Sequence, residues 1–211
     1  MKDKIQLKVC GMRDSENILK VSELHPDYMG FIFYAKSKRF VGNEFRIPDQ
    51  LTKDIKRVGV FVNETTDKII ALAKTHSLDF IQLHGNEPVS QCAELKKKKL
   101  GVIKVFSVDA QFDFSKIVSY KKVVDYFLFD TKSDSYGGTG KSFDWNLLNQ
   151  YDQEIPFFLS GGLSISNIEQ AKSISKMNLH AFDFNSGVER SPGLKDVDKI
   201  IELNTILTSN I

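Results

Sequence analysis

The chain alternates short apolar runs with segments of helical hydrophobic period, and this alternation constrains its fold more than any other feature. A helix that follows each strand returns the chain so that the next strand starts in the same direction, which favours a parallel sheet. The predicted strands cover residues 5–10, 28–33, 56–62, 80–83, 102–106, 126–130, 157–160 and 181–185. Eight strand–helix units predict an α/β fold, a closed (β/α)8 TIM barrel.

Helices are predicted in five of the segments between strands. Each follows a residue that favours a helix start, and these residues are Ser15, Thr65, Pro88, Ser166 and Asp196. Segments 48–53 and 115–122 carry weaker patterns and are interpreted as short helices or irregular crossovers. No Pro/Ser-rich linker interrupts the chain, so residues 1–211 are predicted to form a single domain. An open doubly wound sheet is the alternative architecture.

Composition excludes several classes of function. With 41% hydrophobic and 27% charged residues the chain is not predicted to be disordered, and a net charge of +2 gives no broad basic surface for nucleic acid or anionic lipid. The sequence lacks an apolar run of the ~18 residues that a membrane span needs, and it lacks a signal-peptide cleavage site. We therefore expect a cytoplasmic protein with no membrane partner. The two cysteines, Cys10 and Cys92, are expected to be thiols.

Cys10 ends the first predicted strand. Strand periodicity places Lys8 and Cys10 on one face and the apolar Leu7 and Val9 on the other, so Cys10 is expected to face the barrel interior beside Lys8. A neighbouring ammonium favours the thiolate, which suits a nucleophile or a proton-abstracting base. The alternative is a thiol that packs as a small apolar group, and this is the only interpretation for Cys92.

Asp130 ends the sixth predicted strand, after apolar and aromatic residues. A carboxyl group in partly apolar surroundings at the inner rim of a barrel can hold and donate a proton, which suits a general acid. The alternative is a carboxylate that caps the following turn. His84 and Asp183 occupy corresponding positions on their strands and are assigned to substrate binding.

Two glycine-containing loops follow the seventh and eighth strands, where this barrel class commonly binds phosphate. Glycine allows backbone amides to approach an oxyanion closely, and a short helix is expected to begin near Asn185. The predicted phosphate-binding residues are Gly161, Gly162, Asn185, Ser186 and Gly187. Arg39, after the second strand, is either a surface charge or a partner for a substrate carboxylate.

The segment DSYGGTGKSFDW is an incomplete match to a nucleotide-binding P-loop, because Ser135 stands where the first glycine is required. We interpret this segment as a glycine-rich lid over an active site. The four histidines show no metal-ligand spacing, so no metal site is predicted.

Taken together, these motifs resemble the phosphoribosylanthranilate isomerase family from one end of the chain to the other. The segments that carry the resemblance are KVCGMR, GFIFYAKSKRFV, VGVFVN, IQLHGNE, LFDTKSDSYGGTGKSFDW, LSGGL and FNSGVERSPG. The resemblance implies a cofactor-free isomerase of tryptophan biosynthesis that performs an Amadori rearrangement of an N-aminoribosyl phosphate. This is the third step from chorismate.

The resemblance also implies residue roles. Asp130 would be the general acid that opens the ribose ring, and Cys10 the base that removes the C2 proton. Arg39 would hold the anthranilate carboxylate with Asp183 nearby, and Gly162, Ser186 and Gly187 would bind phosphate. Asn185 departs from the serine that is common in the family. The expected partner is a small anionic sugar phosphate, and the expected assembly is a monomer or homodimer.

Three other functions are weighed against this one. A related sugar-phosphate isomerase of the histidine pathway would be expected to carry a carboxylate at the position of Cys10. A nucleotide hydrolase would need the loop after Asp130 to bind nucleotide. A binding module without catalysis would bind a phosphorylated sugar without turnover, and the presence of both Cys10 and Asp130 argues against it.

Overall fold

The computed structural model describes residues 5–131 and 143–208. Eight parallel strands close a barrel in chain order, each paired with its sequence neighbours, and β1 pairs with β8. The strands are β1 Gln6–Cys10, β2 Tyr28–Ile32, β3 Lys56–Phe61, β4 Phe80–Leu83, β5 Gly101–Val108, β6 Tyr126–Thr131, β7 Phe157–Leu159 and β8 Leu179–Phe184. The predicted (β/α)8 barrel is confirmed, and the open doubly wound sheet is wrong because β1 and β8 leave no open edge between them.

Within the described residues, five α-helices lie between the strands or after the last one. They are α1 Ser15–Ser22, α2 Thr66–His76, α3 Val89–Lys97, α4 Ile168–Ala171 and α5 Val197–Thr208. The residue that caps α1 is Asp14 rather than the predicted Ser15, because the Asp14 carboxylate accepts a hydrogen bond from the Asn17 amide at 2.8 Å. Helix α4 likewise begins after Asn167, one residue beyond the predicted Ser166. None of the helices in the described chain is long and apolar enough to cross a membrane.

The remaining crossovers are short. Segment 48–53 contains turns, whereas 3₁₀ helices cover Phe114–Tyr120 after β5 and Trp145–Gln150 before β7. Both 3₁₀ helices begin with an aspartate side chain that accepts a hydrogen bond from the backbone two residues on, at Ser115 and Asn146. The sequence pattern missed the second of them.

Apolar side chains fill two layers. The larger layer lies between the sheet and the helices and includes Val9, Phe31, Phe61 and Phe127, all fully buried. A second cluster fills the amino-terminal end of the barrel interior, and its members are Tyr28, Val58, Ile103, Val105, Leu128, Phe158 and Ala181. Because that end is filled, space inside the barrel remains at the carboxyl ends of the strands.

A two-stranded antiparallel hairpin follows β8, and the sequence analysis missed it. A 3₁₀ turn at Ser186–Val188 leads into β9 Glu189–Ser191, and β10 Leu194–Lys195 pairs back onto it. The Asn17 amide of α1 exchanges hydrogen bonds of 2.8 and 2.9 Å with the backbone of Lys195. Helix α1 therefore fixes the hairpin against the barrel.

Candidate active site

A cavity opens at the carboxyl ends of the strands and encloses about 720 Å³ of space, open solvent included. The structure places every predicted site residue except Gly187 around this cavity, and the lining set contains Cys10, Arg39, His84, Asp130, Gly161, Gly162, Asp183, Asn185 and Ser186. One cavity therefore gathers side chains that are up to 176 positions apart in the sequence, from Cys10 to Ser186.

Cys10 is the last residue of β1 and faces the barrel interior, with 3% of its surface exposed. The residue opposite it on β2 is Gly30, and a Cβ atom there would lie 2.6 Å from the Cys10 sulfur. Only glycine at this position leaves room for the thiol. The strand periodicity of KVC therefore predicted the correct face for Cys10.

Lys8 lies one inward-facing step below Cys10 and is fully buried. Its Nζ donates a hydrogen bond of 2.8 Å to the Asp183 carboxylate across the β1–β8 pair. Burial lowers the pKa of Lys8, but Asp183 and Cys10 together outweigh burial and leave the pKa raised. The positive charge of Lys8 is compensated by the carboxylate of Asp183.

The thiol of Cys10 is not primed in the way the sequence suggested. Burial raises the pKa of Cys10, and this effect outweighs the opposing effects of Lys8 and Lys195, so the net shift is upward. Lys8 lowers the pKa of Cys10 as predicted, but burial outweighs this effect, so the predicted thiolate is not favoured. Asp183, which pairs with Lys8, adds to the upward shift.

Asp130 lies on β6, near its carboxyl end, and its two carboxylate oxygens have different partners. One accepts a hydrogen bond of 2.8 Å from the amide of Thr131, and the other lies 3.2 Å from His84 Nε2. A Cβ atom on Gly161, whose φ is +84°, would lie 2.8 Å from Asp130 Oδ1, so glycine lets the loop after β7 pass close to the carboxylate. Asp130 therefore both caps the following turn, through Thr131, and faces the cavity, through His84.

Gln82 is a site residue that the sequence analysis missed. It lies on β4, two residues before His84 and on the same face, and its Nε2 lies 3.1 Å from His84 Nδ1. With that amide as donor, His84 carries its proton on Nε2 and presents it to Asp130. A periodicity of two counted back from His84 is the sequence signal that could have identified Gln82.

Arg39 is not a surface charge. It is 9% exposed, and its Nε and Nη2 donate hydrogen bonds of 2.7 to 3.0 Å to the carboxylate of Glu189 at the start of β9. Gly11 makes this arrangement possible, because a Cβ atom there would lie 2.8 Å from Arg39 Cδ and 2.7 Å from Asn185 Oδ1. Its φ of +80° also favours glycine. The paired role of Glu189 had no local sequence signal.

The two predicted phosphate loops lie against each other. Gly161 and Gly162 both have positive φ, at +84° and +69°, and form one edge of the cavity. Gly187 packs behind the cavity, where a Cβ atom would lie 2.0 Å from the carbonyl oxygen of Leu163. The short helix expected near Asn185 is a single 3₁₀ turn over Ser186–Val188.

The lid interpretation and the near-match to a P-loop concern residues 134–145, most of which lie outside the described residues. Within residues 5–131 and 143–208, no group of three or more His, Cys, Asp or Glu side chains could hold a metal ion. The arrangement that the described residues do provide is a thiol, a carboxyl group with a histidine partner, and a guanidinium around one cavity.

A closed parallel barrel with these groups at the carboxyl ends of its strands places the chain in the class of (β/α)8-barrel proteins, whose active sites lie at that end of the strands. The family model of N-(5'-phosphoribosyl)anthranilate (PRA) isomerase matches residues 7–205. The chain belongs to this family, so the predicted family, the isomerase activity and the place in tryptophan biosynthesis are confirmed.

Individual relatives agree with the family match. An N-(5'-phosphoribosyl)anthranilate isomerase from Parabacteroides distasonis is 45% identical over 197 residues, which are 92% of this chain and 89% of the relative. The crystal structure of the Thermotoga maritima isomerase superposes with a TM-score of 0.87 at 37% identity, covering 97% of this chain and 99% of the other. That enzyme is described as dimeric.

A further isomerase structure holds a ligand, reduced 1-(o-carboxyphenylamino)-1-deoxyribulose 5-phosphate. It superposes with a TM-score of 0.84 at 34% identity and covers 97% of this chain and 99% of its own. A related isomerase with this fold therefore binds a phosphorylated sugar that carries a carboxyphenyl group.

Proposed function

We propose that this cavity converts N-(5-phosphoribosyl)anthranilate to 1-(2-carboxyphenylamino)-1-deoxyribulose 5-phosphate, with Asp130 as general acid and Cys10 as general base. The observation that carries the assignment is that β1 and β6 direct these two side chains into the same cavity. Both groups can exchange protons, and one molecule of substrate can contact both.

The first step is ring opening. Asp130 donates a proton to the ribose ring oxygen, the bond between that oxygen and C1 breaks, and the nitrogen lone pair forms a protonated Schiff base with C1. His84 supports this step, because its Nε2 lies 3.2 Å from the carboxylate oxygen that faces it and can donate a hydrogen bond to the anion left behind.

The second step is proton abstraction. The Cys10 thiolate removes the proton from C2, and the electron pair of that bond forms the enolamine while the Schiff-base nitrogen regains its lone pair. Tautomerisation of the enolamine then gives the ketone. Because burial raises the pKa of Cys10, this step needs a thiolate that is a minor species at neutral pH.

Binding of the two anionic ends of the substrate is assigned to two sets of residues around the cavity. Arg39 would pair with the anthranilate carboxylate, and Asp183, held by Lys8 below Cys10, would contact the sugar. The phosphate would lie against Gly161, Gly162, Asn185 and Ser186, with Gly187 shaping the loop from behind. The Asn185 side-chain oxygen accepts from Lys195 Nζ at 2.8 Å, which leaves its NH₂ group as a donor for phosphate.

The same proposal covers the setting of the protein. It includes a small anionic sugar phosphate as the partner, with no nucleic-acid or membrane partner and no cofactor or metal requirement. We further propose that residues 1–211 form one domain that acts in the cytoplasm as a monomer or homodimer.

The direct test is to add the protein to freshly prepared phosphoribosylanthranilate and follow the loss of its fluorescence in the presence of a chelator. Wild-type protein should consume the substrate, whereas Asp130→Asn, which keeps the shape of the side chain but cannot donate an acidic proton, should lose about 10²- to 10⁴-fold in turnover. Tight binding without consumption would instead identify a binding module. Normal ring opening by Asp130→Asn would move the acid role to His84 or Asp183.

A further inference from the structure

Three buried charged side chains form a cluster beside the cavity, and we refer to Arg39, Glu189 and Lys195 as the Arg39 cluster. Glu189 lies at its centre. Arg39 donates to both carboxylate oxygens at 2.7 to 3.0 Å, and Lys195 Nζ donates to one of them at 2.6 Å. The exposed fractions of the three side chains are 11%, 5% and 0%, so water screens these contacts little.

Three anchors hold the cluster in place from behind. Lys195 Nζ also donates to the side-chain oxygen of Asn185 at 2.8 Å, and the Lys195 backbone is bonded to Asn17 of α1. The amide of Gly193, in the hairpin turn, donates to Glu189 at 3.1 Å. Glu189 therefore has partners on both sides, and its carboxylate is fixed in one orientation.

The hydrogen bonds to Glu189 use Nε and Nη2 of Arg39 and leave the Nη1 group of the guanidinium for a ligand. The cluster contains two cations and one anion, so it keeps a net positive charge when all three groups are ionised. The neighbouring Lys8–Asp183 pair is neutral in sum. Of these two groups of charges, only the Arg39 cluster can attract an anion to the cavity.

We propose that Glu189 and Lys195 are positioning residues that hold the Arg39 guanidinium in the orientation required by the carboxylate on the aromatic ring of the substrate. They thereby set the preference of the enzyme for carboxylate-bearing substrates. This inference rests on the proposed role of Arg39. A guanidinium fixed at one edge loses less side-chain entropy on binding a carboxylate than a free one, so the orientation contributes to affinity.

The chemistry of Lys195 is consistent with this role. Burial lowers its pKa to about 8, against the opposing effect of Glu189. Burial of an ammonium group is unfavourable unless hydrogen bonds compensate it. The three hydrogen bonds that Lys195 Nζ donates all go to Glu189 and Asn185, so this buried cation fixes both residues.

The test compares two substrates. One is N-(5-phosphoribosyl)anthranilate, and the other is N-(5-phosphoribosyl)aniline, which lacks the carboxylate; both are prepared fresh, and product is followed by chromatography. We define the substrate ratio as kcat/KM for the anthranilate substrate divided by kcat/KM for the aniline substrate. In Glu189→Gln the guanidinium loses its charged partner, so this ratio should fall about tenfold or more. The fall should come from a higher KM for the anthranilate substrate rather than from a lower kcat. Lys195→Met removes only one anchor and should lower the same ratio by a smaller factor.

A buried glutamate elsewhere gives a matched control. Glu87 is 1% exposed and accepts a hydrogen bond of 2.8 Å from Lys104, and it does not line the cavity. Glu87→Gln should lower the unfolding midpoint, as Glu189→Gln does, without changing the ratio of kcat/KM for the two substrates. A general loss of stability would therefore be distinguished from a loss of orientation.

Arg39→Met separates this inference from the proposed function. If Arg39→Met lowers the ratio and Glu189→Gln does not, the role of Arg39 stands and the positioning role is overturned. If neither variant lowers it, both the role of Arg39 and the positioning role are wrong. Should Glu189→Gln fail to fold by circular dichroism, Glu189→Asp, which keeps the charge but shortens the side chain, replaces it, and an unchanged ratio in that variant overturns the inference.

Discussion

The two ends of the barrel interior are built from opposite kinds of side chain. Leu128, Phe158 and Ala181 belong to the apolar cluster that fills the amino-terminal end. Two residues further along the same strands, or just past their ends, Asp130, Ser160 and Asp183 line the cavity at the other end. Because successive inward-facing positions are only two residues apart, one strand supplies a stabilising group and a reactive group in adjacent layers.

This comparison shows where stability and chemistry are located. The apolar layer contributes by removing surface from water, at roughly 25 cal/mol per Å². The polar layer contributes little to stability, because a buried pair such as Lys8–Asp183 loses about as much in desolvation as it gains in attraction. We therefore expect substitutions at one end to change mainly the free energy of unfolding, and substitutions at the other to change mainly turnover.

The largest effect is expected for Cys10→Ala, at the polar end. The variant lacks the proposed base, and a positioned base contributes about 10²- to 10⁴-fold to a rate. Turnover in the fluorescence assay should fall by that factor, while KM and the thermal unfolding midpoint change little, because only one sulfur atom is removed. Near-normal turnover would remove Cys10 from the mechanism.

The next largest effect is expected for Phe158→Ala, at the apolar end. Phe158 is fully buried and contacts the rings of Tyr28 and Tyr126 edge-on, at centroid distances of 5.2 and 5.3 Å. The cavity left behind should cost about 3–5 kcal/mol in the free energy of unfolding, measured with urea. The folded fraction should keep kcat within about threefold of wild type. A loss of kcat comparable to that of Cys10→Ala would show that the two layers are coupled rather than separate.

A third, smaller effect is expected for Ser186→Asp, which places a carboxylate where the phosphate is proposed to bind. A like charge about 4 Å away costs about 4 kcal/mol at an effective dielectric constant of 20, and solvent screening reduces this severalfold. KM should still rise about tenfold, since that requires only about 1.4 kcal/mol. Lys141→Ala, in the segment that resembles a P-loop, should change KM much less. If KM rose strongly in Lys141→Ala and hardly changed in Ser186→Asp, the phosphate site would have to be assigned to that segment instead.

The strand pattern predicted the barrel, the positions of its strands to within two residues at each end, and the inward face of Cys10, because each of these depends on local periodicity. It did not predict which charges pair. Lys8 and Asp183 are 175 residues apart, and Arg39 and Glu189 are 150 residues apart, so no local signal joins them. The hairpin that carries Glu189 was missed because its strands contain only three and two residues. The Cys10 thiol was expected to be a thiolate beside Lys8, but the local pattern indicated neither how completely the thiol is buried nor the Lys8–Asp183 pair.

The smallest difference between the polar end and the apolar core is expected for the thiols, since the pH dependence of Cys10 should match that of Cys92 in that core. Burial raises the pKa of Cys10 above its ordinary value of 9.0, so the thiolate fraction at neutral pH is lower than that of a free cysteine. Alkylation by iodoacetamide, measured in Cys92→Ser so that only one thiol reacts, should accelerate about tenfold per pH unit between about pH 7 and pH 9 without reaching a plateau.

Cys92, whose pKa burial raises to about 11, should show the same slope in the matched Cys10→Ser variant. Normalising each rate to its value at high pH removes differences in access. A plateau for Cys10 below about pH 8 would mean that Lys8 and Lys195 outweigh burial, and the cavity would then hold a preformed thiolate, as the sequence alone suggested.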